Sequence, residues 1–148
     1  MARFTHPPFG DSGGLTTQIK SYVPVWSGTG LTYTNTPATG NYIKIGNLIQ
    51  LQIDVSFTGV TNFGTGQYSL TLPLPSKYHT DVYGGSIHNT TVNGVDHYSL
   101  KGHLSPLSST VTIWDMASAS KDEPMDHNSP FVLGIEDRFH MSFTYICV

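Results

Sequence analysis

Between residues 47 and 57, apolar Ile49, Leu51, Ile53, Val55 and Phe57 alternate with mostly polar positions. Only a half-buried β-strand has that two-residue period. A second alternating run closes the chain, with Phe139, Met141, Phe143, Tyr145 and Cys147 set against Arg138, His140, Ser142 and Thr144. Shorter segments with strand character lie between and before these runs, at residues 22–26, 31–34 and 42–45 and around Tyr68, Leu70 and Leu72. A weaker one falls within residues 82–92, and others are marked by Tyr98, Leu100 and Leu104, by Val111 and Ile113, and by residues 131–133. Turn chemistry separates them: Ser27-Gly28-Thr29-Gly30, residues 36–40, Gly46-Asn47, Pro73 and Pro75, Asn93-Gly94, and a polar loop over 118–130. No segment combines a helical period with caps. About eight to ten short strands with frequent turns predict an all-β antiparallel β-sandwich, with a jelly roll as the expected topology.

Residues 1–20 break the pattern. They are rich in Pro, Gly, Ser and Thr, and Phe4, Phe9, Leu15 and Ile19 are isolated apolar points, poor material for an independent fold. The expected division is an extended N-terminal arm over 1–20 and a β-sandwich head over 21–148. The four apolar side chains of the arm are candidate anchors on a larger partner.

Charge narrows the class of partner. Charged residues make up 11% of the 148-residue chain, against the roughly 25% usual for soluble proteins, so Thr, Ser, Asn, Gln and Gly must supply the polar surface. A net charge of −3 with seven scattered Lys and Arg leaves no basic stripe for a phosphate backbone, and nucleic acid is not expected as a partner. Low charge favours close association of like chains, because few ions have to be desolvated. No stretch approaches a membrane span, and the first ten residues lack the apolar segment of a signal peptide. The expected origin is therefore the cytoplasm, with any exit by a route that needs no secretion signal. Cys147 has no cysteine partner and falls on the apolar face of the last strand, as a core filler.

Several motifs suggest chemistry and fail on physical grounds. Gly10-Asp11-Ser12-Gly13-Gly14 matches the surroundings of a trypsin-like nucleophile, yet only eleven residues precede Ser12, and an arm offers no preorganised oxyanion hole. Seven histidines, at 6, 79, 88, 97, 103, 127 and 140, show no zinc-motif spacing. His97 and His103 share the polar face of one predicted strand with Ser99 and Lys101, but six residues of strand set them about 20 Å apart, too far for one ion. The loop Lys121-Asp122-Glu123-Pro124-Met125-Asp126-His127-Asn128 lacks the ordered spacing of a calcium loop. Gly64-Thr65-Gly66 precedes a strand and has no downstream Lys-Ser/Thr, so it reads as a turn and not a phosphate cradle. Asn89-Thr90-Thr91 is a formal glycosylation sequon. Trp114 alternates out of phase with Val111 and Ile113 and should face away from the core. Together with His97 and His103 it is a candidate for a subunit interface or a glycan contact. No enzyme activity and no cofactor are expected.

Four phrases in combination resemble a β-rich domain of tailed-bacteriophage virion proteins, notably the C-terminal domain of minor tail proteins of actinobacterial phages. They are Tyr42-Ile43-Lys44-Ile45-Gly46, Val60-Thr61-Asn62-Phe63-Gly64-Thr65-Gly66-Gln67-Tyr68, Leu72-Pro73-Leu74-Pro75-Ser76, and Phe139-His140-Met141-Ser142. The likeness spans roughly residues 22–147. It implies a non-enzymatic virion component, made in the host cytoplasm, commonly trimeric, and seated on a major capsid or tail protein. The chain lacks the long N-terminal body of tail proteins, so the expectation extends to a small capsid-decorating protein as well as a tail-associated adhesin that contacts a host surface glycan. A soluble carbohydrate-binding module is the competing expectation.

Overall fold

The computed structural model describes residues 18–90, 96–116 and 123–148. The alternating run becomes β5 (Leu48–Ser56), whose residues are buried and exposed in strict alternation, and the closing run becomes β12 (Arg138–Ile146). Before β5 lie β1 (Lys20–Tyr22), β2 (Trp26–Thr29), β3 (Thr32–Tyr33) and β4 (Ala38–Ile45). After it come β6 (Val60–Asn62), β7 (Thr65–Thr71), β8 (Thr80–Asn89), β9 (Asp96–Leu104), β10 (Thr110–Asp115) and the short β11 (Glu123–Pro124). The described residues contain strands and no helix, so none is long and apolar enough to cross a membrane.

Ten strands form one antiparallel sheet in the order β1-β4-β5-β12-β8-β9-β10-β7-β2, with β11 beside β10; β3 and β6 pair separately. The ends of that order, β1 and β2, are separated in the chain by Val23, Pro24 and Val25 alone. Neighbouring strands lie about 4.8 Å apart, so a flat sheet would hold its two edges nearly 40 Å from each other. From Tyr22 to Trp26 the backbone reaches about 14 Å at most. The sheet must therefore curl until its edges meet, with the apolar face inside.

The seam is held at Thr71. Its hydroxyl accepts the Val25 amide at 2.8 Å, its own amide donates to the Val25 carbonyl at 3.1 Å, and its carbonyl accepts the Tyr22 phenol at 3.3 Å. Burial, reinforced by Tyr145 nearby, pushes the Tyr22 phenol far above its ordinary pKa, so it remains a donor at any physiological pH. Gly40 on β4 has no side chain because the Tyr22 ring occupies the place of a Cβ.

Inside the curl, Trp26 stacks on Phe57 at 5.0 Å and meets Tyr68 and Phe139 edge-on at 5.0 and 6.0 Å. Ile49, Leu51, Ile53, Leu70, Ile87, Leu104, Val111 and Ile113 complete a core to which Cys147 also belongs, fully buried as expected. Asp137, itself buried, joins the turn before β12 to the end of β8, accepting from the Gly134 amide at 2.7 Å and the Thr90 amide at 2.9 Å.

The fold class agrees with the sequence; several boundaries do not. Residues 22–26 are not one strand, because residues 23–25 are the connection between the two edges. Ser27, Gly28 and Thr29, expected in a turn, lie in β2. Residues 131–133 form no strand; Leu133 is buried and Phe131 packs on Tyr98 at 5.1 Å. The expected boundary between arm and head falls inside β1, where Lys20 is already paired with Tyr42. Residues 1–17 and Asn93-Gly94 lie outside the described residues, and the strand order leaves jelly-roll connectivity an expectation.

The alternation in β5 yields a direct test. Ile53→Ala removes a fully buried side chain and should cost about 2–5 kcal/mol, whereas Gln52→Ala on the outer face should change stability by no more than about 0.5 kcal/mol. Urea unfolding of the two variants reads both values.

Candidate functional site

The outer face of β8, β9 and β10 carries the most chemically varied cluster among the described residues. It owes its composition to a bulge. On β8, Val82 and Ile87 both point to the core although five residues separate them, which simple alternation forbids. The register against β9 shifts between Tyr83 and Gly85, and Gly84, at φ 122°, absorbs the extra residue. A Cβ at Gly84 would run into the Ser142 carbonyl. Residues on either side of the bulge thus keep their own phase, and Asp81 and Tyr83 emerge on the outer face.

Cross-strand pairing then lines up two rows. Asp81 faces His103, which faces Thr112; Tyr83 faces Lys101, which faces Trp114. Asp81 Oδ1 lies 2.8 Å from His103 Nδ1, and its Oδ2 lies 3.4 Å from Lys101 Nζ. The hydrogen bond from His103 draws the Asp81 carboxyl below the usual carboxylate range against a smaller opposing effect of burial, with Lys101 adding to the shift. An ionised carboxylate only accepts, so His103 presents Nδ1–H to it, and Nε2 of the neutral ring is left as an acceptor. Lys101 Nζ also sits 5.8 Å from the centre of the Trp114 ring. The indole N–H of Trp114 donates to Thr112 at 3.4 Å, and the His79 ring meets His103 edge-on at 4.6 Å. These groups border an open depression of about 650 Å³ lined by His79, Thr80, Asp81, Lys101, His103 and Trp114.

A second cluster, of histidines with Arg138, lies beyond the bulge. His88 on β8 packs against His97 on β9 with ring centres 4.0 Å apart, and Arg138 on β12 is the other neighbour of His88 in the register. Desolvation, then the nearby His97, Arg138 and His140, hold the His88 pKa below its ordinary value. Asp54 on β5 faces His140 from the other side, and a depression of about 450 Å³ runs between them.

The sequence candidates therefore part company. Trp114 faces outward as expected and joins His103; His97 belongs to the other cluster. Phe4, Phe9, Leu15 and Ser12 lie outside the described residues. Ile19 is 70% exposed and borders a shallow depression with Asn41, Ile43, Gln50, Gln52 and Ser142 on the outer face of β4, β5 and β12. In the acidic loop, Asp126 Oδ1 is taken up by the amides of Asn128 and Ser129 at 2.7 and 3.1 Å, and His127 stacks on Phe63. Among the described residues, no three or more His, Cys, Asp or Glu side chains are placed to hold one metal ion. Asn89 is only 5% exposed, which withholds the sequon amide from modification. The sequence placed Lys101 on the polar face with His103 but did not bring Asp81 or His79 to them, because no local spacing relates them.

The chain matches no known protein-family model, no curated protein and no solved structure.

The signs of the two shifts separate by pH. A depressed His pKa means that the unfolded chain binds the proton first as pH falls, so the contribution of His88 is intact above its ordinary value of 6.5 and is lost as pH drops through the lower folded value. Asp81, depressed from 3.8, keeps its contribution until still more acid pH. Thermal melts from about pH 8 to about pH 5 should show a decline below about 6.5 whose slope His88→Gln reduces, while Asp81→Asn shifts the whole curve in that range.

Proposed function

We propose that the protein is a non-enzymatic structural component of a bacteriophage virion surface, a capsid decoration or tail-associated adhesion protein that acts as a homotrimer. In this reading the N-terminal segment, through Phe4, Phe9, Leu15 and Ile19, fastens the chain to the major capsid or tail protein. The head covers and stiffens the particle or contacts the host. The reading rests on the family resemblance, and one structural observation supports it best. Across β1, β4, β5 and β12, Ser21, Asn41, Gln52 and Ser142 form one outward row and Ile43, Gln50 and Thr144 the next. Neither row holds an ionisable side chain, so a second copy can approach these two rows without desolvating charge on them. Ile19 borders the same face. A soluble carbohydrate-binding module is the second reading, favoured by the depression beside Trp114.

Light scattering should give three times the 16.2 kDa chain mass, and Gln52→Lys together with Gln50→Lys should reduce it to that of a single chain. A wild-type mass of 16.2 kDa at micromolar concentration defeats the trimer. Purified particles should contain the protein, and deleting residues 1–17, which spares β1, should leave it folded yet absent from them. Normal incorporation of the truncated chain would remove the anchoring role; absence of the full chain from particles would remove the virion role.

A further inference from the structure

We propose that the depression on β8, β9 and β10 is a saccharide site that takes a neutral pyranose with adjacent hydroxyls. It deepens the adhesion part of the reading above, and the two fail separately, since a particle component and a free module would both carry it. At about 650 Å³ the depression falls within the roughly 300–1,000 Å³ typical of small-molecule sites.

Its chemistry selects the ligand. Asp81, with its side chain a third exposed, uses one oxygen on His103 and the other on Lys101. A carboxylate has about four lone-pair positions, so acceptor capacity is left for two hydroxyl donors. His103 and Lys101 line the same depression, so the neutral ring adds an acceptor at Nε2 and the ammonium adds N–H donors for the sugar's hydroxyls. Adjacent hydroxyls on a ring present that paired donor and acceptor character. Trp114, half-buried and fixed by its bond to Thr112, supplies an aromatic wall for the C–H face of the sugar, and the more exposed Tyr83 stands across Lys101 from it.

Other ligand classes fit less well. The formal charges of Asp81 and Lys101 cancel, so an anion gains no net attraction at neutral pH. His103 resembles the oriented base of a hydrolytic triad, but among the described residues its ring bonds to Asp81 and to no Ser, Thr or Cys.

The test follows the indole N–H resonances of Trp114 and Trp26 in ¹⁵N-labelled full-length protein, assigned with Trp114→Phe. Methyl α-mannopyranoside, methyl β-galactopyranoside and methyl N-acetyl-β-glucosaminide are titrated, with inorganic phosphate and acetate as anion controls. At least one pyranoside should move the Trp114 resonance saturably at millimolar concentration and leave that of the buried Trp26 in place. Asp81→Asn and Trp114→Ala should each weaken binding about tenfold or more, the second read from the sugar's own signals, with the Trp26 resonance reporting an intact core. The proposal is overturned if no pyranoside moves Trp114, if phosphate or acetate moves it and no sugar does, or if Asp81→Asn binds as well as wild type.

Discussion

The closure of the sheet at Thr71 is the constraint on which the other features depend. A nine-strand path with its edges held apart would leave the aromatic cluster around Trp26 open on one side. By holding Val25 through both its hydroxyl and its backbone, and Tyr22 through its carbonyl, Thr71 turns the sheet into an enclosure. Enclosure divides every long strand into an inward set and an outward set. The inward set is almost wholly apolar, and most of the polar and charged side chains of these strands fall in the outward set.

That division explains how much the sequence disclosed. β5 and β12 were legible because each runs nine residues without a change of phase, so side-chain period and burial coincide. β10 was legible for the same reason, and it placed Trp114 outward. β8 was obscure because the Gly84 bulge reverses its phase midway, and a single period fitted to the whole segment cancels. Residues 22–26 looked like one strand because Tyr22, Val23, Val25 and Trp26 have strand character. Pro24 instead lies in a connection whose identity depends on partners about fifty residues away, which local pattern does not carry.

The candidate site shows the same limit from the side of chemistry. His103 and Trp114 were identifiable as outward-facing, but Asp81 reaches them through strand pairing across more than twenty residues of chain. Lys101 was placed on the polar face of its strand, yet its side chain is only 11% exposed, enclosed by groups that the register delivers. His97, on the same strand and face as His103, joined the other histidine cluster because His88, and not Asp81, is its cross-strand partner. Register, more than residue type, assigned each histidine its surroundings.

The Gly84 bulge links these surroundings to the history available to the chain. Loss of that one residue would bring Tyr83 and Gly85 together opposite Lys101 and Leu100, leaving Val82 and Ile87 in phase toward the core and Asp81 and Tyr83 still on the outer face. Gly84 is therefore more readily lost than replaced, because a Cβ there would meet the Ser142 carbonyl whereas its deletion leaves both halves of the strand in phase.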